Sequence, residues 1–413
     1  MIQLSIKMLP SSGSNQFAYN EADLLVQVRV GREFKLKADY TFMVFNEHLM
    51  FMAGESTRKR SPWHHVWRAG HTYSMTMCGC NVWMPGKYFF LMASKDDGCV
   101  IRFDLELDDK CCFTVGKPRR CEVLSDEHVL ACQVFDARSE WASLCHYDGM
   151  APLRRKALEW LKWNDARADA GGSRQGRRDA FGYNLLVTQG RYNGIWLPSF
   201  VAHQQISRML MMCIPNDRLI VRTGDCSEFY DSENENHNHV LDALFDEKTD
   251  PAVDPMFDNY PYQYIEHGDY RLCTVVYVFY NIDAFDNRVM SRLQEVWQDG
   301  RHFAIFCGSD DEMDRLLDNY PSLSEHYPEA NRVALEEPAT EEVVNRVFGQ
   351  PELMGCQFTP AAIDKLCRMI VTDARQGDLC SADYYASKIW PKPGSLGVIV
   401  FDADDIHDDN AYC

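Results

Sequence analysis

No stretch of the 413-residue sequence approaches the roughly 20 consecutive apolar residues that a membrane-spanning helix needs. Positive charge is scarce: 42 Lys and Arg stand against 61 Asp and Glu, a net charge of −19. Phosphate backbones and anionic lipid repel such a chain, so neither nucleic acid nor a membrane surface is expected as a partner. The opening residues, Met1 to Lys7, lack the basic and apolar blocks of an export signal, and a cytoplasmic location is expected. Sixteen cysteines are present, yet none of their spacings is the C-x2-C of a zinc ribbon. Reduced thiols, many buried as small apolar side chains, are the expected state, with no metal site.

What is there reads as a folded, multidomain chain: 46% of residues are hydrophobic and 25% charged, an ordinary globular balance. Basic and acidic side chains cancel over residues 1–140, so the whole net charge falls after residue 140. That step predicts a domain boundary there. Residues 1–140 read as strands. Leu24–Val30 and Phe34–Phe45 have strand composition, and Thr72–Met77 follows. Turns at Pro85-Gly86 and Asp96-Asp97-Gly98 then feed Lys87–Met92 and Val100–Leu107. Short strands and turns without a long helical period predict an antiparallel β-sandwich. Residues 85–91 resemble a strand of immunoglobulin-like domains.

Near residue 150 the pattern changes. Leu153, Ala157, Trp160 and Leu161 recur at helical spacing, and residues 141–182 read as a helical linker leading into a second domain. Over 183–335, four apolar runs alternate with helical segments: Tyr183–Thr188, Asp217–Arg222, Cys273–Tyr280 and His302–Gly308. This alternation predicts an α/β parallel sheet. An acidic insertion at 223–270 interrupts it, and its Asp231–His239 stretch is too polar to pack. Residues 336–413 read as helices over 340–348, 360–373 and 381–390, then a strand at Val398–Phe401 and an acidic tail.

The most specific stretch is Phe303–Gly308, Asp311-Glu312-Met313 and Leu316–Leu323. It resembles the AAA+ ATPases of the rubisco-activase (CbbX-like) type. In that family a strand ends in Gly, an "xxEM" helix follows, and an "NPGL" turn precedes the arginine finger. Ala339–Val344 resembles the family's lid start and Asp148–Lys156 its opening helix. The resemblance spans about 148–405. It implies an AAA+ P-loop-type core over 183–335 with a C-terminal helical lid, joined to the N-terminal β-sandwich.

The same resemblance locates a nucleotide site whose chemistry has been replaced. A phosphate loop needs glycines, a Lys for the phosphates and a hydroxyl for Mg²⁺. The matching stretch keeps Gly190 and Gly194, but Ile195 falls on the Lys position and Trp196 on the hydroxyl position; Arg191 is the nearest cation. Asn281 and Ile282 replace the Mg²⁺-binding Asp and the water-polarising Glu, with Asp283 one residue on. The finger segment reads Leu323-Ser324-Glu325-His326-Tyr327, and the lid arginine falls on Cys380. Nothing remains to neutralise charge on a transferring phosphoryl group. The expectation is a pseudo-ATPase without a cofactor, serving as scaffold or adaptor in a larger assembly, such as a mixed ring with an active AAA+ paralogue. One alternative is a divergent but active Mg·ATP-binding ATPase that remodels a protein client. A second is a peptide- or glycan-binding protein that acts through its N-terminal sandwich.

Overall fold

The computed structural model describes residues 2–9, 23–31, 36–37, 40–56, 66–67, 69–79, 81–94, 98–108, 110–135, 137–138, 141, 144, 149–169, 182–189, 199–214, 219–229, 241–245, 273–336, 338–348, 353, 356–390 and 399–407. These fall into two compact units. One holds the residues up to Arg154 together with those after 337, and the other runs from Arg155 to Glu336. The sequence expectation attached residues 336–413 to the α/β core as a lid, whereas this division groups the described residues after 337 with the N-terminal β domain. No helix among the described residues is long and apolar enough to cross a membrane.

The first unit is built on an antiparallel sheet, as the short strands predict. Its strands are β1 (Ile2–Met8), β2 (Leu24–Val30), β4 (Tyr40–Asn46), β5 (Phe51–Ser56), β7 (Thr72–Gly79), β8 (Gly86–Ser94), β9 (Val100–Leu107), β10 (Phe113–Val115) and β11 (Arg119–Arg120). The order is β1-β2-β7-β5-β4-β8-β9-β10, with β11 also on β9. A separate pair joins β3 (Leu36–Lys37) to β6 (Val66–Trp67). The path is continuous because Ala53 and Gly54 of β5 pair with Gly79 and Cys78 of β7. Strands β1 and β10 come close without pairing, so the sheet curls on itself into a sandwich-like half-barrel.

Alternation in β2 is the half-buried pattern of such a sheet, with Leu24, Val26, Val28 and Val30 all buried. In β4 all seven residues are buried. Its second face is covered by the π turn Leu130–Val134, which continues α1 (Asp126–Val129), itself packed on β9. Glu127 holds this cover to the sheet: its Oε1 accepts from Arg102 at 2.8 Å and from Arg119 at 2.7 Å. Burial opposes the charged form of Glu127. Its own backbone N–H and the two guanidiniums outweigh that opposition and hold the carboxyl below its usual pKa.

Helix α2 (Ala151–Asp169) has the predicted apolar stripe, with Leu153, Ala157, Trp160 and Leu161 buried. The second unit is an all-parallel five-stranded sheet: β12 (Leu185–Gln189), β13 (Leu219–Asp225), β14 (Thr274–Tyr280), β15 (His302–Ser309) and β16 (Arg332–Ala334). The spatial order is β13-β14-β15-β12-β16. Helices α3 (Ser199–Cys213), α4 (Asn287–Val296) and α5 (Asp310–Asn319) lie between successive strands in the chain. β14 carries five consecutive buried residues, the mark of a strand covered on both faces. The expected insertion is shorter than its sequence bounds. Residues 223–225 finish β13, and Cys226, Phe229, Leu241 and Leu244 join the buried core because they are the segment's apolar residues. Residues 231–239 lie outside the described residues.

The C-terminal residues carry α6 (Thr340–Phe348), α7 (Pro360–Gln376) and α8 (Ala382–Ala386), with a parallel pair β17 (Gln357–Phe358) and β18 (Val400–Phe401). Their core includes Val82 and Met84 from the β7–β8 connection, packed with Val343, Val344 and Val347 of α6. Asn345 Oδ1 accepts from the Val82 N–H at 2.6 Å.

A buried ion pair sits inside the same unit. Arg154 and Glu342 are fully buried, and Nη2 of the arginine meets Oε1 of the glutamate. The remaining polar atoms are also used. Arg154 Nε donates to the His48 carbonyl and Nη1 to the Leu144 carbonyl, both at 2.9 Å. Glu342 Oε2 accepts from the N–H groups of Ala339 and Gly149 at 3.0 and 3.3 Å.

Removing one member strands the other. Glu342→Leu should lower the stability of this unit by about 3–5 kcal/mol. Arg154→Met with Glu342→Leu should cost clearly less than the two single changes added together. Urea unfolding of the four proteins measures this, and simple additivity would contradict the coupling. A pH series tests Glu127. Its folded pKa lies below the unfolded 4.5, so its contribution is complete above 4.5 and disappears as pH falls through the folded value. The stability gap between the parent chain and Glu127→Gln should therefore hold from neutral pH to 4.5 and close in stronger acid.

Candidate functional site

In an open parallel sheet, ligands bind beyond the carboxyl ends of the strands, where the chain changes direction across the sheet. Here that point lies between β12 and β15. The chain leaves β12 for β13, two strands beyond β15, and leaves β15 for β16 on the opposite side. The parallel register brings Gln189 level with Ser309, and Asp225 level with Tyr280.

The sequence placed the degenerate nucleotide site on this edge. Gly190, Arg191, Gly194, Ile195 and Trp196 lie outside the described residues. Three others follow β14. Asn281 adopts a left-handed backbone, φ 53° and ψ 44°, which asparagine tolerates better than most residues. Its Nδ2 donates to both carboxylate oxygens of Asp225 at 2.9 and 3.0 Å. Asp225 also accepts from the N–H and Oγ of Ser227 at 2.9 and 2.6 Å.

Ile282 points into the core and is 2% exposed. A Cβ on Gly308, at the end of β15, would lie 2.7 Å from Ile282 Cδ1, so glycine is what lets this side chain seat. Asp283 is turned outward and pairs with Arg315 of α5, whose Nη2 and Nε donate to Oδ1 at 2.6 and 3.0 Å. The partners Asp225 and Arg315 carry no local sequence signal, since they lie 56 and 32 residues from the groups they bind.

The start of α5 makes the edge more acidic. Ser309 and Glu312 form a reciprocal cap, with Glu312 Oε2 accepting from the Ser309 N–H at 2.6 Å. Asp310, Asp311 and Glu312 occupy the first turn, where the helix dipole favours negative charge. A helix start satisfied this way has little attraction left for phosphate.

The remaining expected positions are structural in character. Ser324 is exposed in the short 3-10 helix Pro321–Glu325. His326 stacks on Trp297 with ring centroids 4.3 Å apart. Burial lowers its pKa against the opposing pull of Glu325, so the ring is neutral at pH 7. Tyr327 is fully buried and donates to the Ala304 carbonyl at 2.8 Å. Cys380 belongs to the other unit. Its thiol donates to the Asp378 carbonyl at 3.4 Å and is pushed up in pKa by burial first and by Asp373 and Asp378 next. Neither His326 nor Cys380 supplies a positive charge. Among the described residues, no three His, Cys, Asp or Glu side chains are grouped to hold a metal ion. Burial raises the pKa of the Cys121 thiol to about 11 and of Cys367 to about 12, which leaves both unreactive.

Comparison with known proteins adds little to this geometry. No protein-family model matches the chain, and no curated protein does. Among solved structures, the C-terminal domain of wzt aligns at 10% identity over 29% of this chain and 68% of its own, with a TM-score of 0.16. The putative ApaA protein from Bordetella pertussis aligns at 8% identity over 29% of this chain and 89% of its own, also at 0.16. The mutant Bacteroides uniformis beta-glucuronidase 2 aligns at 10% identity over 79% of this chain and 39% of its own, at 0.17. At such scores these are partial likenesses that assign neither fold nor function, and the architecture rests on the strand pairing itself.

Proposed function

We propose that the chain is an AAA+-fold pseudo-ATPase of the rubisco-activase-like type that acts as a scaffold or adaptor in a larger protein assembly. Two supports meet. The motifs at 303–323 resemble that family, and the parallel sheet, numbered within its own unit, has the order 5-1-4-3-2 found in AAA+ modules. The observation that carries the absence of catalysis is the end of β14. The position for the metal-binding carboxylate is an asparagine already held by Asp225, and the position for the water-polarising carboxylate is a core isoleucine.

Phosphoryl transfer needs positive charge on the transferring group and a polarised nucleophile. The described part of this edge offers Asp225, Asp283, Asp310, Asp311 and Glu312, with Arg315 already bound to Asp283. Such an edge repels a nucleotide triphosphate. Its side chains hold each other, and a site closed in this way suits a module whose work is to present fixed surfaces to neighbours. An active AAA+ paralogue in a mixed ring is the form of partner this reading favours.

The decisive measurement is calorimetric titration of the full chain with Mg·ATP, together with phosphate release. No saturable heat, no change in melting temperature at millimolar nucleotide and no hydrolysis above background are expected. Saturable binding would overturn the reading in favour of a divergent ATPase. Replacing Ile282 with Glu should not create activity. It should destabilise the second unit by about 3 kcal/mol or more, because it forces a carboxylate into an apolar seat. Hydrolysis gained by that variant would show that the site had retained its other parts.

A further inference from the structure

A second site lies in the antiparallel sheet, independent of the parallel one. A cavity of about 300 Å³ opens beside the cover formed by residues 126–134. Its apolar surface comes from Leu49, Phe89 and Leu130. Arg102 forms one wall, lying 4.3 Å over the Phe89 ring, and its charge is met by Asp104 and Glu127. Three further charges border the cavity, the Lys87 ammonium and the Glu47 and Asp126 carboxylates, and the first two adjoin the paired residues Tyr88 of β8 and Asn46 of β4. The Lys87 and Glu47 side chains are both exposed, and Glu47 also acts on the neighbouring Tyr88 phenol. The cavity therefore offers exposed charges of both signs above an apolar floor.

The floor is also where backbone strain is kept. Leu49 has φ 62°, a left-handed conformation that a leucine rarely adopts. Buried neighbours impose it. The Leu49 N–H donates to the Asn46 carbonyl at 3.1 Å, and its carbonyl accepts from Trp141 Nε1 at 2.8 Å. Asn46 Oδ1 accepts from the N–H groups of His48 and Met50, at 3.0 and 2.8 Å, and closes the turn around Leu49. Glycine would satisfy this backbone at less cost, so the side chain itself has a use.

We propose that this cavity binds a free α-amino acid with an apolar side chain. Its ammonium group meets Glu47, its carboxylate meets Lys87, and its side chain lies on Leu49, Phe89 and Leu130. The volume stands at the lower end for small-ligand sites, about 300–1,000 Å³, which fits one amino acid. This deepens the ligand-binding alternative for the β domain. It does not rest on the pseudo-ATPase reading, and the test below contains no nucleotide, so either can fail alone.

The test is calorimetric titration of the full chain with L-leucine, L-methionine and L-phenylalanine. N-acetyl-L-leucine, which lacks the ammonium, and L-leucinamide, which lacks the carboxylate, serve as probes of each end. At least one amino acid should bind saturably, one per chain, and each analogue should bind about tenfold or more weakly than leucine. Glu47→Gln should abolish the penalty on the acetylated analogue only, and Lys87→Met the penalty on the amide only. Leu49→Gly should weaken binding without lowering the melting temperature, since glycine accepts the left-handed backbone. No saturable binding by any of the three amino acids overturns the proposal. So does equal binding of leucine and both analogues, or discrimination that survives both charge substitutions.

Discussion

The fully buried pair of Arg154 and Glu342 is the interaction on which the first unit depends. An arginine has five N–H donors and no way to shed its charge, so burying one obliges the surrounding chain to supply acceptors. Here they come from the turn after β4, from Leu144 and from α6. The carboxylate in turn collects backbone donors at Gly149 and Ala339. One ion pair thus fixes segments almost 300 residues apart in sequence. It explains how residues after 337 belong to the same compact body as a sheet made from the first 120 residues.

At the parallel sheet the same rule works in reverse. Polar groups at the carboxyl edge are consumed by each other: Asn281 by Asp225, Asp283 by Arg315, and Ser309 by Glu312. The charges of these described residues are thus spent on local structure. Trp297 and His326 likewise hold each other, in an aromatic stack.

Much of this fold is legible in the sequence because the signals are local. The β-branched and aromatic run Cys273–Tyr280 has the length and composition of a strand buried on both faces, and Leu153, Ala157, Trp160 and Leu161 recur as one side of a helix. β1 carries an equally local signal, Ile2, Leu4, Ile6 and Met8, although the sequence expectation did not include it. The pairing of β5 with β7 and the bond from Val82 to Asn345 have no such signature. They depend on contacts between distant residues, which composition and periodicity do not encode. The site divides in the same way. The residue types at 281–283 are visible directly, but the occupation of Asn281 by Asp225 and the inward turn of Ile282 exist only once the strands are aligned.

The fit between Gly308 and Ile282 has a consequence for substitution at either position. Each residue is the other's permission: the missing Cβ makes room for the isoleucine, and the isoleucine fills what would otherwise be a void beside the strand. A carboxylate at 282 would meet an apolar seat, and a larger residue at 308 would meet the isoleucine. Single steps away from the present arrangement are therefore each unfavourable. The packing acts as a lock that resists change at either position unless both change together.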